Sequence, residues 1–282
     1  MIHKDQFLTS EQRAHWEEHG YVILPNIVPQ ANVDAVIDAI WTFLQVDRND
    51  PETWYDAPIS KHGMLEMYQH QSLWDNRQHP DIHRAFTDIW DTEKLWVSID
   101  RANMNPPARQ PDWDYHGMFH WDVDVSQKPL PFMVQGVLFL ADTDADQGGF
   151  QCAPGFHHKV ADWVKAQPEG SSLRPNPDEF DIQTIPGKAG DLLIWHSLLP
   201  HGNSRNHSTQ PRLAQYITMS PPPTDASVRE EKRSHRIEAW QNQVTAWDKP
   251  AGDTRGFERE YFDVAVLSEL GEKLLGVKEW RS

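Results

Sequence analysis

The chain has 282 residues and a formal net charge of −16, from 42 acidic and 26 basic residues. So acidic a surface repels nucleic acid and anionic lipid, which excludes both as expected partners. One cysteine excludes an intrachain disulfide, the N-terminal residues lack the apolar core of a secretory signal, and no apolar run reaches the ~20 residues that span a bilayer. We therefore expect a cytoplasmic protein that acts on a small molecule.

The first third of the chain, residues 1–94, is predicted to be mainly helical. Thr9 to Gln12 has the pattern of a helix cap, and Gly20 is the expected end of that helix. The remaining patterns predict, in chain order, a strand at 21–24, an amphipathic helix at 30–45, a loop at 46–63, and helices at about 65–75 and 81–90.

Residues 95–220 are predicted to form a β core, because short apolar runs are separated there by turn residues. The predicted strands begin at Leu95, cross His120 and Asp122, and continue at 132–140, 150–153, 182–185, 191–195 and 213–219, with a helix near 160–165. Short strands in this pattern favour a sandwich or barrel. Residues 221–282 form a C-terminal extension, predicted to be helical from 229 to 247. We expect one domain spanning 1–282.

The stretch around His120 and Asp122 is the first candidate for chemistry. Side chains two apart on a strand leave the same face, so this imidazole and carboxylate can point at one spot. His201, where an apolar strand ends, is the preferred third ligand, and His196 is an alternative. Two histidines and one carboxylate suit non-haem Fe(II) and oxygen chemistry. Taken alone, the His-x-Asp pair is more often a hydrogen-bonded histidine at a strand end.

Arg212 strengthens the metal hypothesis. It enters a predicted strand, where a guanidinium is costly to bury unless it binds an anion. Its planar fork suits a carboxylate, as a 2-oxo acid co-substrate would offer beside a metal. Gln135 shares a strand face with apolar neighbours and is a further candidate for the site, while His116 is an open candidate for contact with substrate.

Three motifs resemble the phytanoyl-CoA dioxygenase family, and they occur in the family's order between about residues 10 and 220. The first is His19-Gly20-Tyr21-Val22-Ile23-Leu24-Pro25. The second is the turn from Gly148-Gly149 to Pro154-Gly155-Phe156-His157. The third runs from Gly190-Asp191 through His201-Gly202-Asn203 to Pro211-Arg212-Leu213-Ala214.

This resemblance implies a double-stranded β-helix (a cupin-like jelly roll) that uses Fe(II), 2-oxoglutarate and O2. By the resemblance, His120, Asp122 and His201 hold the iron, and His201 is preferred over His196 because Arg212 then lies at the family spacing of eleven. Arg212 binds the distal carboxylate of 2-oxoglutarate, and Asn203 lies where the family often offers a serine to it. Gln135 is counted among the co-substrate contacts. Either Arg101 or Asn103 is expected to assist.

The expected reaction is hydroxylation of an unactivated C–H bond, with release of succinate and CO2. A carboxylate at Asp122 fills the position that related halogenases leave open for chloride, so halogenation is not expected. Two other functions stay open: a cupin-like isomerase or hydrolase with another divalent metal, and a ligand-binding barrel without metal. Arg212 argues against the isomerase, since that reaction has no co-substrate carboxylate. The acidic charge and 13 tryptophans favour a neutral, cationic or apolar substrate.

Overall fold

The computed structural model describes residues 6–60, 62–110, 113–115, 117–246 and 252–280. Within these ranges the helices are α1 Ser10–His19, α2 Gln30–Leu44, α3 Gln71–Arg77, α4 Pro80–Trp90, α5 Val160–Ala166, α6 Ala226–Gln241, α7 Phe257–Tyr261 and α8 Glu269–Leu275. Short 3-10 turns occupy Pro51–Asp56, Phe156–His158 and Pro177–Glu179. No helix of these described ranges is long and apolar enough to cross a bilayer.

The strands form antiparallel sheets. They are β1 Tyr21–Leu24, β2 Trp96–Val97, β3 Ala102–Asn105, β4 Val134–Phe139, β5 Phe150–Cys152, β6 Gln183–Thr184, β7 Leu192–His196, β8 His201–Asn203, β9 Arg212–Tyr216 and β10 Met219–Ser220. A five-stranded sheet has the order β1-β7-β4-β9-β3, a three-stranded sheet the order β6-β5-β8, and β10 pairs with β2. The prediction of a β-sheet core with flanking helices is confirmed.

The start of the chain folds as its capping signals predict. The Thr9 side chain accepts a hydrogen bond from the Gln12 backbone N–H, and the Gln12 side chain accepts one from the Thr9 N–H, which completes a capping box. Gly20 ends α1 with φ +76°, a conformation that glycine adopts without strain. Strand β1 follows at once and pairs with β7, so the helical N-terminal part is built into the five-stranded sheet.

The five-stranded sheet has two apolar faces, because successive side chains on a strand alternate. One face, with Val22, Leu24, Ile194 and Leu138, packs in the main core that also holds α2, α3 and α4. The other face, with Val137, Phe139, Leu193 and Trp195, packs against Phe150 and Cys152 of the three-stranded sheet. The two sheets therefore enclose a second core, and His201 at the start of β8 lies at its edge.

Two predicted elements are wrong. Residues 65–70 are not helical; α3 begins only at Gln71, because the backbone N–H groups of Tyr68 and Gln69 donate to the carboxylate of Glu258 at 2.6 and 2.7 Å. The segment through His120 and Asp122 is not a strand either, and only one isolated bridge, His120 to His201, forms there. The C-terminal extension adds α7 and α8, which the sequence patterns did not predict, to the expected α6.

Candidate active site

Backbone pairing brings His120 and His201 together. The His120 N–H donates to the His201 carbonyl at 2.9 Å, and the His201 N–H donates to the His120 carbonyl at 3.0 Å. On its other side β8 pairs with β5, where Cys152 lies opposite His201. His201 is therefore fixed between two neighbours, and its buried ring also packs against Phe150 and Trp195.

The side chains of His120, Asp122 and His201 converge. The Nε2 of His120 lies 3.2 Å from Oδ1 of Asp122, and the Nε2 of His201 lies 3.1 Å from Oδ2. All three candidate ligand atoms lie within 4.8 Å of one another. Across the described residues, no other group of three His, Cys, Asp or Glu side chains converges in this way. This donor set matches the one that suits a non-haem iron.

The other ring nitrogen of each histidine faces a backbone carbonyl. The Nδ1 of His120 lies 2.7 Å from the Met118 carbonyl, and the Nδ1 of His201 lies 2.9 Å from the Leu199 carbonyl. A carbonyl can only accept, so each Nδ1 carries the proton when the ring is neutral, and each Nε2 is left with a lone pair. Such contacts orient histidine ligands in metal sites.

When no metal is bound, the contacts between each Nε2 and Asp122 are hydrogen bonds that need a proton on Nε2, and a metal ion would take the place of these protons. Burial raises the pKa of Asp122, but hydrogen bonds from His120 and His201 outweigh burial and bring this pKa well below its ordinary value. The hydrogen bond to Asp122 raises the pKa of His120. Asp122 is thus a carboxylate at neutral pH, held by the two imidazoles that a metal ion would share with it.

His196, the alternative third ligand, lies elsewhere. Its Nδ1 accepts from the Leu198 N–H at 3.0 Å, and its ring packs against Trp16 and His157. Burial lowers the pKa of both His196 and His157 to about 4, so both rings are neutral at pH 7. Since His196 is absent from the converging group, the geometry favours His201 as the third ligand. His116 lies outside the described residues.

Arg212 is almost completely buried, with 1% of its surface exposed. Its Nη1 donates to Oδ1 of Asn103 at 3.0 Å, whereas Nε and Nη2 have no hydrogen-bond partner. A buried guanidinium with open donors is costly unless an anion compensates it. The site therefore offers a carboxylate two free, preoriented donors, which fits the anion expected from the sequence.

The surroundings of Arg212 decide between the two early-strand candidates. Asn103 contacts the guanidinium directly, whereas Arg101 pairs with Glu66 at 3.0 Å and with Asp100 at 3.5 Å. Asn103, not Arg101, is therefore the neighbour of Arg212. Asn203 also lies in this region, because its Nδ2 is 3.4 Å from the hydroxyl of Tyr216.

The sequence patterns missed two tyrosines near Arg212. The Tyr216 ring centre lies 5.9 Å from the Arg212 guanidinium carbon. Burial, and to a smaller extent the neighbouring Tyr216, raise the pKa of Tyr115 to about 12, although Arg212 acts to lower it. Tyr216 had a signal, since it lies four residues after Arg212 on the same strand and shares its face. Tyr115 lies in an irregular loop without a periodic pattern.

Gln135 lies on the inner face of β4, opposite Trp195. It lines a cavity of about 400 Å³ together with Asp122, Met133, Ser197 and others. Its Oε1 is buried and has no hydrogen-bond partner. Gln135 and Asp122 therefore line the same cavity.

Comparison with known proteins finds one matching family, related sequences and similar folds. The family model for phytanoyl-CoA dioxygenase (PhyH) matches residues 16–214. A putative phytanoyl-CoA dioxygenase of Dictyostelium discoideum is 24% identical, over 79% of this chain and 79% of that protein. The hypothetical protein JW0805 from Escherichia coli is similar in structure, with a TM-score of 0.70 and 16% identity over 95% of this chain and 82% of that chain. The epimerase SnoN, solved with Fe3+ and alpha-ketoglutarate, gives a TM-score of 0.52 and 17% identity over 77% of this chain and 88% of that chain.

Proposed function

The chain belongs to the phytanoyl-CoA dioxygenase family of iron- and 2-oxoglutarate-dependent oxygenases, and we propose that it hydroxylates an unactivated C–H bond of a small molecule, releasing succinate and CO2. The observation that carries the proposal is the convergence of His120, Asp122 and His201 to within 4.8 Å. Arg212 supports it independently, because its two open buried donors have no evident use without an anionic co-substrate.

The proposal gives each residue a role. His120, Asp122 and His201 hold Fe(II) through two imidazole nitrogens and one carboxylate. Arg212 pairs with the distal carboxylate of 2-oxoglutarate through Nε and Nη2, while Asn103 fixes the guanidinium through Nη1. Tyr216 and Asn203 form the polar wall beside this carboxylate, with Tyr115 close to Arg212 and Tyr216. When bound, the iron and 2-oxoglutarate supply the activation of O2 and the electrons for oxidising the substrate.

The protein itself orients the metal ligands and excludes water from one side of the site. The Met118 and Leu199 carbonyls hold the two imidazoles so that both Nε2 atoms face Asp122. The aromatic side chains of Phe150 and Trp195 cover one side of His201 and keep that side dry. Asp122 occupies a ligand position with a carboxylate, which supports hydroxylation over halogenation. Gln135 contacts the substrate rather than the co-substrate, because it shares a cavity with Asp122.

The same proposal covers the fold and the domain organisation. The five-stranded and three-stranded sheets face each other across a shared apolar core, as the two sheets of a double-stranded β-helix do. We treat residues 1–282 as one oxygenase domain, with a helical part at 1–94, a β-helix core at 95–220 and a C-terminal extension at 221–282. Strand β1 supports this assignment because it joins the N-terminal part to the core sheet. We propose a cytoplasmic location and no nucleic-acid partner; the net charge of −16 supports the second point, because so acidic a surface repels nucleic acid.

Anaerobic titration of the Fe(II)-loaded protein with 2-oxoglutarate tests the function. A 2-oxo acid that chelates ferrous iron gives a visible charge-transfer band, which we expect for the wild-type protein. His201→Gln should lose the band, whereas the matched variant His196→Gln should keep it. A wild-type protein without the band would favour the isomerase or the binding barrel. A band that survives His201→Gln but not His196→Gln would refute the ligand assignment.

A further inference from the structure

Asp122 is the candidate metal ligand whose position the β-sheets determine least. His201 belongs to strand β8, and His120 exchanges two backbone hydrogen bonds with it. Asp122 follows two residues later, in a segment that is not a strand. Within the described residues, no hydrogen bond involves the backbone of residues 121–123, and the Asp122 carboxylate is bonded only to the two imidazoles. Another contact must therefore hold this segment against the β core.

The Trp121 side chain supplies that contact. Its indole N–H donates to the Leu198 carbonyl at 3.1 Å. The centre of its ring lies 5.1 Å from that of Trp163 on α5, 6.3 Å from that of Phe180 and 6.5 Å from that of Phe156. Aromatic rings at these separations attract each other, and the hydrogen bond fixes the orientation of the indole. Trp121 therefore anchors the segment immediately before its carboxylate ligand.

The carbonyl that Trp121 contacts belongs to the turn that also orients His201. The next carbonyl along the chain, that of Leu199, lies 2.9 Å from Nδ1 of His201. The turn is itself fixed, because the Leu199 N–H donates to the His196 carbonyl at 2.9 Å and the Leu198 N–H donates to Nδ1 of His196 at 3.0 Å. Two successive carbonyls thus hold the indole and one imidazole ligand. This arrangement ties the position of the 121–123 segment to that of His201.

We propose that Trp121 is a positioning residue of the iron site, whose bond to the Leu198 carbonyl holds the Asp122 carboxylate where it shares the ion with His201. This inference rests on the proposed function, because it needs a metal ion at the converging side chains. A carboxylate that is already held in place loses less conformational freedom on binding an ion, so the affinity for the ion is higher. Contacts behind metal ligands contribute about 10- to 100-fold in metal affinity.

The first experiment compares Trp121→Phe with the matched control Trp163→Phe. Both substitutions keep a ring in the same aromatic cluster and remove one indole N–H, but of the two only the Trp121 N–H is hydrogen-bonded within the described residues. In equilibrium dialysis, Trp121→Phe should bind Fe(II) at least ~10-fold more weakly than the wild type, and Trp163→Phe within about twofold of it. With Co(II) as a spectroscopic probe, the d–d bands should shift in Trp121→Phe alone, because these bands depend on the ligand geometry.

A measurement on the wild-type protein covers the case in which Trp121→Phe does not fold. Coupling between two equilibria is reciprocal, so a hydrogen bond that favours metal binding is itself favoured by the bound metal. Zn(II), a diamagnetic substitute for Fe(II), should therefore slow hydrogen exchange of the Trp121 indole N–H by at least ~10-fold in NMR spectra. Exchange of the Trp163 indole N–H should stay unchanged.

The inference is overturned if Trp121→Phe and Trp163→Phe lose Fe(II) affinity equally, since ring packing alone would then be responsible. It is also overturned if Trp121→Phe lowers the free energy of unfolding of the metal-free protein but binds Fe(II) as the wild type does. Exchange of the Trp121 N–H that does not respond to Zn(II) has the same meaning. The charge-transfer band of the wild type with Fe(II) and 2-oxoglutarate separates these outcomes from failure of the proposed function, which would remove that band.

Discussion

Replacing Arg212 by Met should separate co-substrate binding from folding. The guanidinium has two open donors, Nε and Nη2. Two charge-assisted hydrogen bonds of ~1.5–3 kcal/mol each give about 3–6 kcal/mol, or roughly a 10²- to 10⁴-fold loss of 2-oxoglutarate affinity. The free protein should behave differently. Its uncompensated charge disappears, while Asn103 Oδ1 loses a partner at a cost of about 1–3 kcal/mol. We therefore expect the free energy of unfolding to stay constant or to rise.

Arg101→Met provides the control for this prediction. Arg101 directly precedes strand β3, which carries Asn103, but its guanidinium is paired with Glu66 and Asp100. Its loss should lower the free energy of unfolding by about 1–3 kcal/mol and leave 2-oxoglutarate affinity within about threefold. Anaerobic titration gives the affinity, and urea unfolding of the metal-free protein gives the stability. The reasoning is refuted if Arg212→Met binds 2-oxoglutarate as the wild type does, or if both variants lose affinity equally.

Further predictions concern the metal, the packing of the site and pH. Fe(II) in 100-fold excess over its Kd should stabilise the wild-type protein by about 2.7 kcal/mol in calorimetry, and Asp122→Ala should abolish both this shift and succinate production. Gly117→Ala should weaken Fe(II) binding, measured by equilibrium dialysis, because its Cβ would lie 2.3 Å from the Asn203 backbone nitrogen and would push the His120 segment away from β8. Burial lowers the folded pKa values of His157 and His196 to about 4, from the ordinary 6.5, so the stability that these neutral rings contribute is present above pH 6.5 and is lost as pH falls to 4. Glu258 acts oppositely: its folded pKa of about 7 is raised from 4.5, so its stability is present below pH 4.5 and lost as pH rises through 7. Glu258→Gln should therefore steepen the loss of stability between pH 7 and 4.5 in urea unfolding; an unchanged slope would contradict this assignment.

Short sequence patterns correctly predicted the elements that are stabilised by contacts between residues close in the chain. The capping box at Thr9 and Gln12, the left-handed Gly20 and the apolar period of α2 are short-range features, and the structure contains all of them. The helix predicted at residues 65–70 does not form, because a contact with a residue distant in the chain prevents it. Their apolar pattern permits a helix, but Glu258, 190 residues after Tyr68, takes up the backbone N–H groups that a helix would use. No window of sequence around Tyr68 contains that information.

The candidate site was predicted on a partly wrong premise. A regular strand was expected to aim His120 and Asp122 at one point, yet this segment has one bridge to His201 and is otherwise irregular. The convergence comes instead from long-range pairing: the two reciprocal hydrogen bonds with His201 fix His120, and Asp122 then reaches both imidazoles. Asn103 rather than Arg101 contacts Arg212 because Arg101 pairs with Glu66. Sequence spacing does not reveal that ion pair.

Two incompletely compensated charges lie in the candidate active site. Asp122 is held only by two imidazoles, and Arg212 keeps two open donors. Since an unpaired buried charge lowers stability, its presence at these two positions is best explained by ligands that complete it. A cation at Asp122 and a carboxylate at Arg212 would therefore each stabilise the protein, and additive shifts in melting temperature on adding the two would distinguish this account from one in which a single ligand orders the whole site.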